Sequence, residues 1–275
     1  MRLQGKAVVI TGASMGIGER IAAAFLREGA SVVLSSRDLQ RTEAARARLA
    51  STDRTFAVAC DVRKRSDVDR LLQASLGRFG RVDVWVNNAG YGLMDAAASM
   101  DMAQCRALFD TNLFGAVECM QAVVPVMKKQ GGGSIINISS VAGHIAVPYM
   151  AAYCASKFAL NAIGKAARVE LKASGIHVMT VCPGYVSTEF GNNAVKGDDR
   201  QRISAAVRAG ITPERVARAV LRGYLRQSRE VVVPWHDRIV IRFYQLFPRL
   251  VEWSMARMLR PADQAMAEAR AAKKS

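Results

Sequence analysis

Short apolar runs rich in β-branched residues alternate along the chain with longer stretches whose apolar positions recur every three or four residues. The first pattern predicts buried strands and the second amphipathic helices. Strands are predicted at Lys6–Thr11, Ser31–Ser35, Arg54–Cys60, Val82–Val86, Ser134–Ser139, Ile176–Cys182 and Glu230–Val233. Helices are predicted over Glu19–Arg27, Leu39–Ala50, Ser66–Phe79, Asp101–Lys129, Ala151–Ala173 and Glu214–Arg226. Within Ser66–Phe79, for example, Val68, Leu71, Leu72 and Leu76 form one stripe. Such strand–helix alternation gives an α/β fold: a parallel sheet with helices on both faces.

The junctions carry the candidate chemistry. Thr11-Gly-Ala-Ser-Met-Gly-Ile-Gly18 joins the first strand to the first helix. Its spacing is G-x-x-x-G-x-G rather than G-x-G-x-x-G. The context, strand to glycine turn to helix, still predicts a dinucleotide site: glycines admit a pyrophosphate to the backbone, and the helix N-terminus offers free N–H groups. Gly12, Ser14, Met15, Gly16, Ile17 and Gly18 are the candidate contacts. After the second strand stands Ser36-Arg37-Asp38. An acid at the strand end would hold a ribose 2′-hydroxyl, whereas Arg37 suits a 2′-phosphate, which favours NADP over NAD. Met15 weakens that reading, because a basic residue there would have given the phosphate a second partner. Asp61-Val62 closes the third strand; the acid can accept from an adenine amino group or cap the next helix. Asn88-Ala89-Gly90 follows the fourth strand, small and polar beside the expected crevice.

Asn112 lies inside the long Asp101–Lys129 helix, where asparagine is a mediocre choice. Ser140 sits just past the fifth strand, where open α/β sheets bind ligands. Thirteen residues later comes Tyr153, with Lys157 one helical turn beyond it on the same face. An ammonium beside a phenol favours the phenolate, so the pair can exchange a proton with a substrate oxygen near neutral pH.

Composition narrows the setting. Cys60, Cys105, Cys119, Cys154 and Cys182 are odd in number and scattered, which suits free thiols in a reducing cytoplasm. His144, His177 and His236 have no metal-ligand spacing, so no metal is expected. No apolar run is long enough for a transmembrane helix, and a core strand begins by Lys6 with no signal-peptide pattern before it. The formal net charge is +16, and residues 196–275 hold 17 Lys/Arg against 8 Asp/Glu. Such an excess suits either a solvated arginine-rich surface or attraction to an anionic membrane or nucleic acid. The arginines sit within apolar helical stretches and no recognition motif accompanies them, so nucleic acid is not expected as a partner.

Taken in order, Thr11-Gly12…Gly16-Ile17-Gly18, Asn87-Asn88-Ala89-Gly90, Asn112, Ser140…Tyr153…Lys157 and Pro183-Gly184…Thr188 resemble the short-chain dehydrogenases/reductases, over about Lys6 to Val233. The resemblance implies a single Rossmann-type, doubly wound sheet of about seven strands in the order 3-2-1-4-5-6-7. It implies Tyr153 as general acid/base, Ser140 as the residue polarising a substrate carbonyl, and Lys157 as the residue lowering the tyrosine pKa and holding the nicotinamide ribose. It further implies Asn112 holding a relay water, with Pro183, Gly184, Val186 and Thr188 closing on the cofactor. The expected reaction is NADP(H)-dependent reduction of a carbonyl, or oxidation of a secondary alcohol, by a homo-oligomer (dimer or tetramer). A non-catalytic NADP-binding regulator or membrane-surface scaffold on the same fold is the alternative; the full Asn–Ser–Tyr–Lys set speaks against it.

Domain boundaries follow. Residues 1–233 form the catalytic unit, with a polar substrate flap at 189–212, and 234–275 form a basic amphipathic extension. His144, Tyr149, Tyr185 and Phe190 are the candidate pocket residues, from their places beside the motifs. Residues 235–259 mix Trp235, Phe243, Phe247 and Trp253 with regularly spaced arginines, and Pro248 divides them into two short helices. This segment either lies on a membrane or caps the substrate mouth or a second subunit. Both readings suggest a small hydrophobic substrate.

Overall fold

The computed structural model of the protein describes residues 1–49, 53–188, 194–196 and 210–259. The seven expected strands form: β1 (Ala7–Thr11), β2 (Ser31–Ser36), β3 (Thr55–Ala59), β4 (Val84–Asn87), β5 (Gly133–Ile138), β6 (Ile176–Pro183) and β7 (Glu230–Val233). They pair in parallel throughout, in the order β3-β2-β1-β4-β5-β6-β7. The order reverses between β1 and β4, so a crevice opens where their carboxyl ends diverge. A separate two-stranded parallel pair joins Leu93–Met94 to Val195–Lys196.

Alternate residues of each strand feed opposite cores. Val8, Ile10, Val32, Leu34, Val86 and Val181 pack under α1 (Gly16–Arg27) and α7 (Pro213–Leu225). Val9, Val33, Trp85, Ile135 and Val178 pack under α3 (Arg65–Phe79) and α5 (Gly115–Lys129). In α3, Val68, Leu71 and Leu72 are buried and Leu76 partly so, as the stripe requires. The remaining helices include α2 (Leu39–Arg48), α4 (Met102–Phe109), α6 (Ala151–Glu170) and α8 (Asp237–Leu246).

Two helices depart from expectation. The stretch 101–129 is not continuous: α4 and α5 are joined by a π-helical turn, Asp110–Phe114, closed by the Gly115 N–H donating to Asp110 O. Asn112 is on that turn, and an inserted π turn is a local feature that apolar periodicity does not reveal. The helix carrying Tyr153 ends at Glu170, short of Ala173, where a 3-10 turn and a left-handed Gly175 (φ +69°) redirect the chain into β6.

At the other end of the sheet, buried Asp83 ties strands to loops. Its carboxylate accepts from Lys6 Nζ (2.9 Å), the Ala7 N–H (2.9 Å) and Arg81 Nε and Nη2 (2.7 and 2.6 Å). Burial alone would raise its pKa, but Arg81, the Ala7 amide and Lys6 outweigh burial and hold it below the usual carboxylate value. The stability it contributes is present above the unfolded pKa and is lost as pH falls through the folded one. Asp83→Asn is expected to cost about 2 kcal/mol at neutral pH, and less under acid conditions. Urea denaturation at the two pH values checks this; a cost that does not shrink in acid contradicts it.

Candidate active site

The glycine turn is locked to the β4 end by side chains. Thr11 Oγ1 accepts from the N–H groups of Asn88 and Ala89 (both 3.1 Å), and Asn88 Nδ2 donates to Thr11 O (3.0 Å) and Gly12 O (2.9 Å). Asn88 therefore shapes the turn with its side chain. Gly12 has φ +64°, and a Cβ there would lie 2.8 Å from Ala89 Cα; one on Gly18 would lie 2.5 Å from Gly12 O. Neither position tolerates a side chain. A Cβ on Gly16 would meet only Thr188, at 3.6 Å, which places Thr188 over the turn. The α1 N-cap, Met15, makes no side-chain cap bond to the helix's first N–H groups. A narrow glycine cradle at a helix N-terminus fits a dinucleotide pyrophosphate.

The surrounding candidates sort as follows. Ser14 and Ile17 are half-buried on the same turn. Arg37 is exposed at the end of β2. Asp61 spends its carboxylate on Arg63, with side-chain contacts of 2.6–3.1 Å, and on the Arg63 N–H. It does not cap α3, whose N-cap is Lys64. Val62 is buried against Gly115, where an added Cβ would lie 2.7 Å from its Cγ2. Burial raises the Tyr91 phenol pKa while the charges of Arg63 and Arg37 oppose the rise, which puts both arginines near that ring. One cation was missed from sequence: Arg41 Nη2 lies 3.7 Å from Met15 Sδ. Its signal was its place on the first turn of α2, where a side chain can reach back over the end of β2.

Ser140, Tyr153 and Lys157 meet on the substrate side. Ser140 closes β5, donates to Pro183 O (3.3 Å) and accepts from the Ala142 N–H (3.1 Å). Tyr153 and Lys157 are both buried on α6. Burial pushes the Tyr153 phenol up to about 12, against which a hydrogen bond with Ser140 acts. Lys157 Nζ sits 5.8 Å from the Tyr153 ring centroid and donates to Ile138 O (3.0 Å). Its own burial pulls it down to about 8. Burial is the largest influence on both groups, raising the phenol and lowering the ammonium, so each is held toward its neutral form.

Asn112 is buried behind this pair. Its Oδ1 accepts from the Tyr91 N–H (3.0 Å), and its Nδ2 donates to Tyr91 O (2.9 Å) and Ser156 Oγ (3.3 Å). A Cβ on Gly90 would lie 3.0 Å from Asn112 Oδ1 and 3.5 Å from Lys157 Nζ, so Gly90 leaves the space between them open. Pro183 and Gly184 form the far wall, with Gly184 against the Asp237 carboxylate. Val186 bridges to Ile211.

The substrate candidates divide. Tyr185 is half-exposed and Tyr149 has a left-handed φ of +61° with its carbonyl accepting from the Asp95 N–H (2.8 Å). Phe190 and most of the flap lie outside the described residues. His144 sits in a cluster that sequence spacing did not show. Its Nε2 lies 3.4 Å from Cys182 Sγ, 3.5 Å from Glu230 Oε2 and 3.3 Å from Asn161 Nδ2. The three ligand-type atoms are close enough for a metal ion. The Asn161 amide already faces the shared ring nitrogen, however, and the Glu230 carboxyl is held below its usual value by its hydrogen bond with His144 and by the charges of Lys165 and Arg238. The cluster reads as a polar link between β6, β7 and the loop after Ser140.

A family model of short chain dehydrogenases matches residues 6–199. Ketoacyl reductase HetN of Nostoc sp. is 37% identical over 233 residues, covering 84% of this chain and 79% of the relative. Dehydrogenase/reductase SDR family member 7B of Danio rerio is 35% identical over 240 residues, covering 84% and 78%. Among solved structures, a short chain dehydrogenase/reductase from Burkholderia phymatum in complex with NAD superposes with a TM-score of 0.82 at 25% identity, over 91% of this chain and 96% of that one. The 3-ketoacyl-(acyl-carrier-protein) reductase from Brucella melitensis complexed with NADH gives 0.75 at 29% identity, over 84% and 97%. Sequence, topology and cradle agree: the chain belongs to the short-chain dehydrogenases/reductases, oxidoreductases of carbonyl and alcohol groups served by a nicotinamide nucleotide.

Proposed function

We propose that the protein reduces the carbonyl of a small hydrophobic substrate with NADPH. The observation that carries this reading is the meeting of Ser140, Tyr153 and Lys157 at the open end of β5, beside the glycine cradle. When bound, the nicotinamide supplies the hydride. Ser140 and Tyr153 hold the substrate oxygen by hydrogen bonds that strengthen as negative charge grows on it, each worth ~3–4 kcal/mol in a dry site. Tyr153 then gives that oxygen its proton. A phenol pushed up by burial is protonated at neutral pH, the form that donation to the substrate oxygen requires. Lys157 holds the ribose, and a water beside Asn112 returns protons from solvent. Purified protein supplied with NADPH or NADH and a panel of ketones, aldehydes and quinones tests the reading. Cofactor oxidation with none of them, by folded protein, rejects it.

NADP preference rests on charge at the adenine end. Arg37 is exposed at the end of β2, and Arg41 reaches Met15 on the glycine turn, supplying the second cation whose absence from the turn itself weakened the sequence reading. Arg37→Ala is expected to raise the KM for NADPH about 10–100-fold, the worth of a charge-assisted hydrogen bond, and to leave that for NADH nearly unchanged. Equal losses with both cofactors would remove Arg37 from phosphate recognition.

A homo-oligomer is part of the reading. Met102, Phe114, Phe158 and Val169 leave apolar side chains exposed along α4, the π turn and α6, which suits burial against a second copy. The scattered free thiols suit a reducing compartment, and we place the protein in the cytoplasm. No helix among the described residues is long and apolar enough to cross a membrane.

A further inference from the structure

We propose that the outer face of residues 235–258 docks on an anionic phospholipid surface. The chain after β7 forms α8, breaks at Phe247 before Pro248, and continues as a helix over 248–259. One face of this pair is anchored: Ile241 is buried, and Tyr244 and Met255 pack with it against Ile145, Cys182 and Val232. The opposite face is apolar too. Ile239, Phe243 and Leu246, at i, i+4 and i+7, are 60%, 44% and 72% exposed, and Phe247, Leu250 and Trp253 are 52%, 52% and 56% exposed. Among the described residues, nine of the 17 large exposed hydrophobics fall within 235–258. Single exposed apolar residues are ordinary; a concentration in two successive helices marks an interaction surface.

Charge selects the occupant. Arg238, Arg242, Arg249 and Arg257 are exposed around the apolar stripe. Arg238 donates to Glu230 O, Arg242 to Gln245 Oε1, and Arg257 lies 5.4 Å over the Trp253 ring. None of these three interactions uses a carboxylate, though Arg238 also lies within reach of the Glu230 charge. A second copy on a two-fold axis would set these cations against one another, and within 235–258 the acids to answer them are Glu252 and half-buried Asp237. Lipid phosphates answer all four while the apolar side chains enter the acyl boundary, the arrangement of an interfacial helix. The docked face stands behind the wall formed by Ser140–Ile145, Pro183 and Gly184, because the anchored side of the same helices packs on it.

Flotation of the full chain with vesicles tests this without turnover, so its outcome is independent of the redox reading. Vesicles of phosphatidylcholine and phosphatidylglycerol in equal parts are expected to carry the protein up, and vesicles of phosphatidylcholine alone to carry little. Molar salt is expected to release most of it, since exposed charges are then screened within ~3 Å. Phe243→Glu with Trp253→Glu should abolish flotation. Arg242→Glu with Arg249→Glu should weaken it at least tenfold, each charge near the surface being worth roughly fivefold. Leu39→Glu, on α2 and 45% exposed, should leave flotation unchanged, and thermal melts confirm that every variant is folded. No flotation of wild-type protein, equal flotation on neutral vesicles, or dissociation of an oligomer by the Phe243/Trp253 variant without vesicle binding would each overturn the proposal. The last outcome would assign the face to a second copy.

Discussion

Tyr153→Phe is expected to keep the fold and the cofactor affinity and to lose turnover by about 10²–10⁴-fold. The ring stays, so the packing of Tyr153 with Leu93, Leu108 and Ala152 is preserved. What goes is the hydroxyl that bonds Ser140 and, on the proposed reading, gives the substrate oxygen its proton. The pH profile separates this from a structural effect. With the phenol pushed up to about 12, alcohol oxidation, which needs phenolate, should climb about tenfold per pH unit over the accessible range. Carbonyl reduction, which needs phenol, should not climb. Steady-state rates in both directions check this. Near-normal turnover in Tyr153→Phe, or a pH-dependent oxidation rate that survives the substitution, removes Tyr153 from proton transfer.

Lys157→Met is expected to abolish turnover as well, yet to make the cofactor-free protein more stable at pH 7. Burial lowers the ammonium from 10.5 to about 8. Between those values the unfolded chain binds more protons than the folded one, so wild-type stability rises with pH across that window. Below pH 8 the folded state carries the whole cost of the buried charge, about 3 kcal/mol. Methionine removes that cost and leaves Ile138 O without its donor, which returns ~1–2 kcal/mol. The net gain of about 1–2 kcal/mol should shrink and vanish by about pH 10. Urea denaturation of both proteins at pH 7 and 10 measures it. A variant less stable at pH 7, or a difference that ignores pH, contradicts the account. A residue kept at a cost to stability is one kept for function.

The strands were legible because both faces of each are covered, so their apolar runs needed no partner to be recognised. The glycine turn was legible for a similar reason: Gly12 and Gly18 answer to backbone a few ångströms away, and only glycine fits. Ser140, Tyr153 and Lys157 were found from spacing, but their protonation was not. An i, i+4 pair gives proximity and says nothing of desolvation, which depends on the strands and loops around α6. Asn112 was placed inside a regular helix, since a π turn alters the phase of the apolar stripe by one residue without changing the composition. The His144–Cys182–Glu230 cluster comes from elements far apart in sequence, and no local pattern joins its members.

That π turn binds two requirements together. Gly115 bonds back five residues to Asp110 instead of four, so one residue more than a regular helix needs is threaded between α4 and α5. Removing it would restore ordinary bonding but rotate everything downstream by about 100°. Cys119, Val123 and Met127 would then swing off the Trp85 core. The irregularity that aims Asn112 at Tyr91 is thus held in place by side chains one to four turns away, and neither can drift without the other.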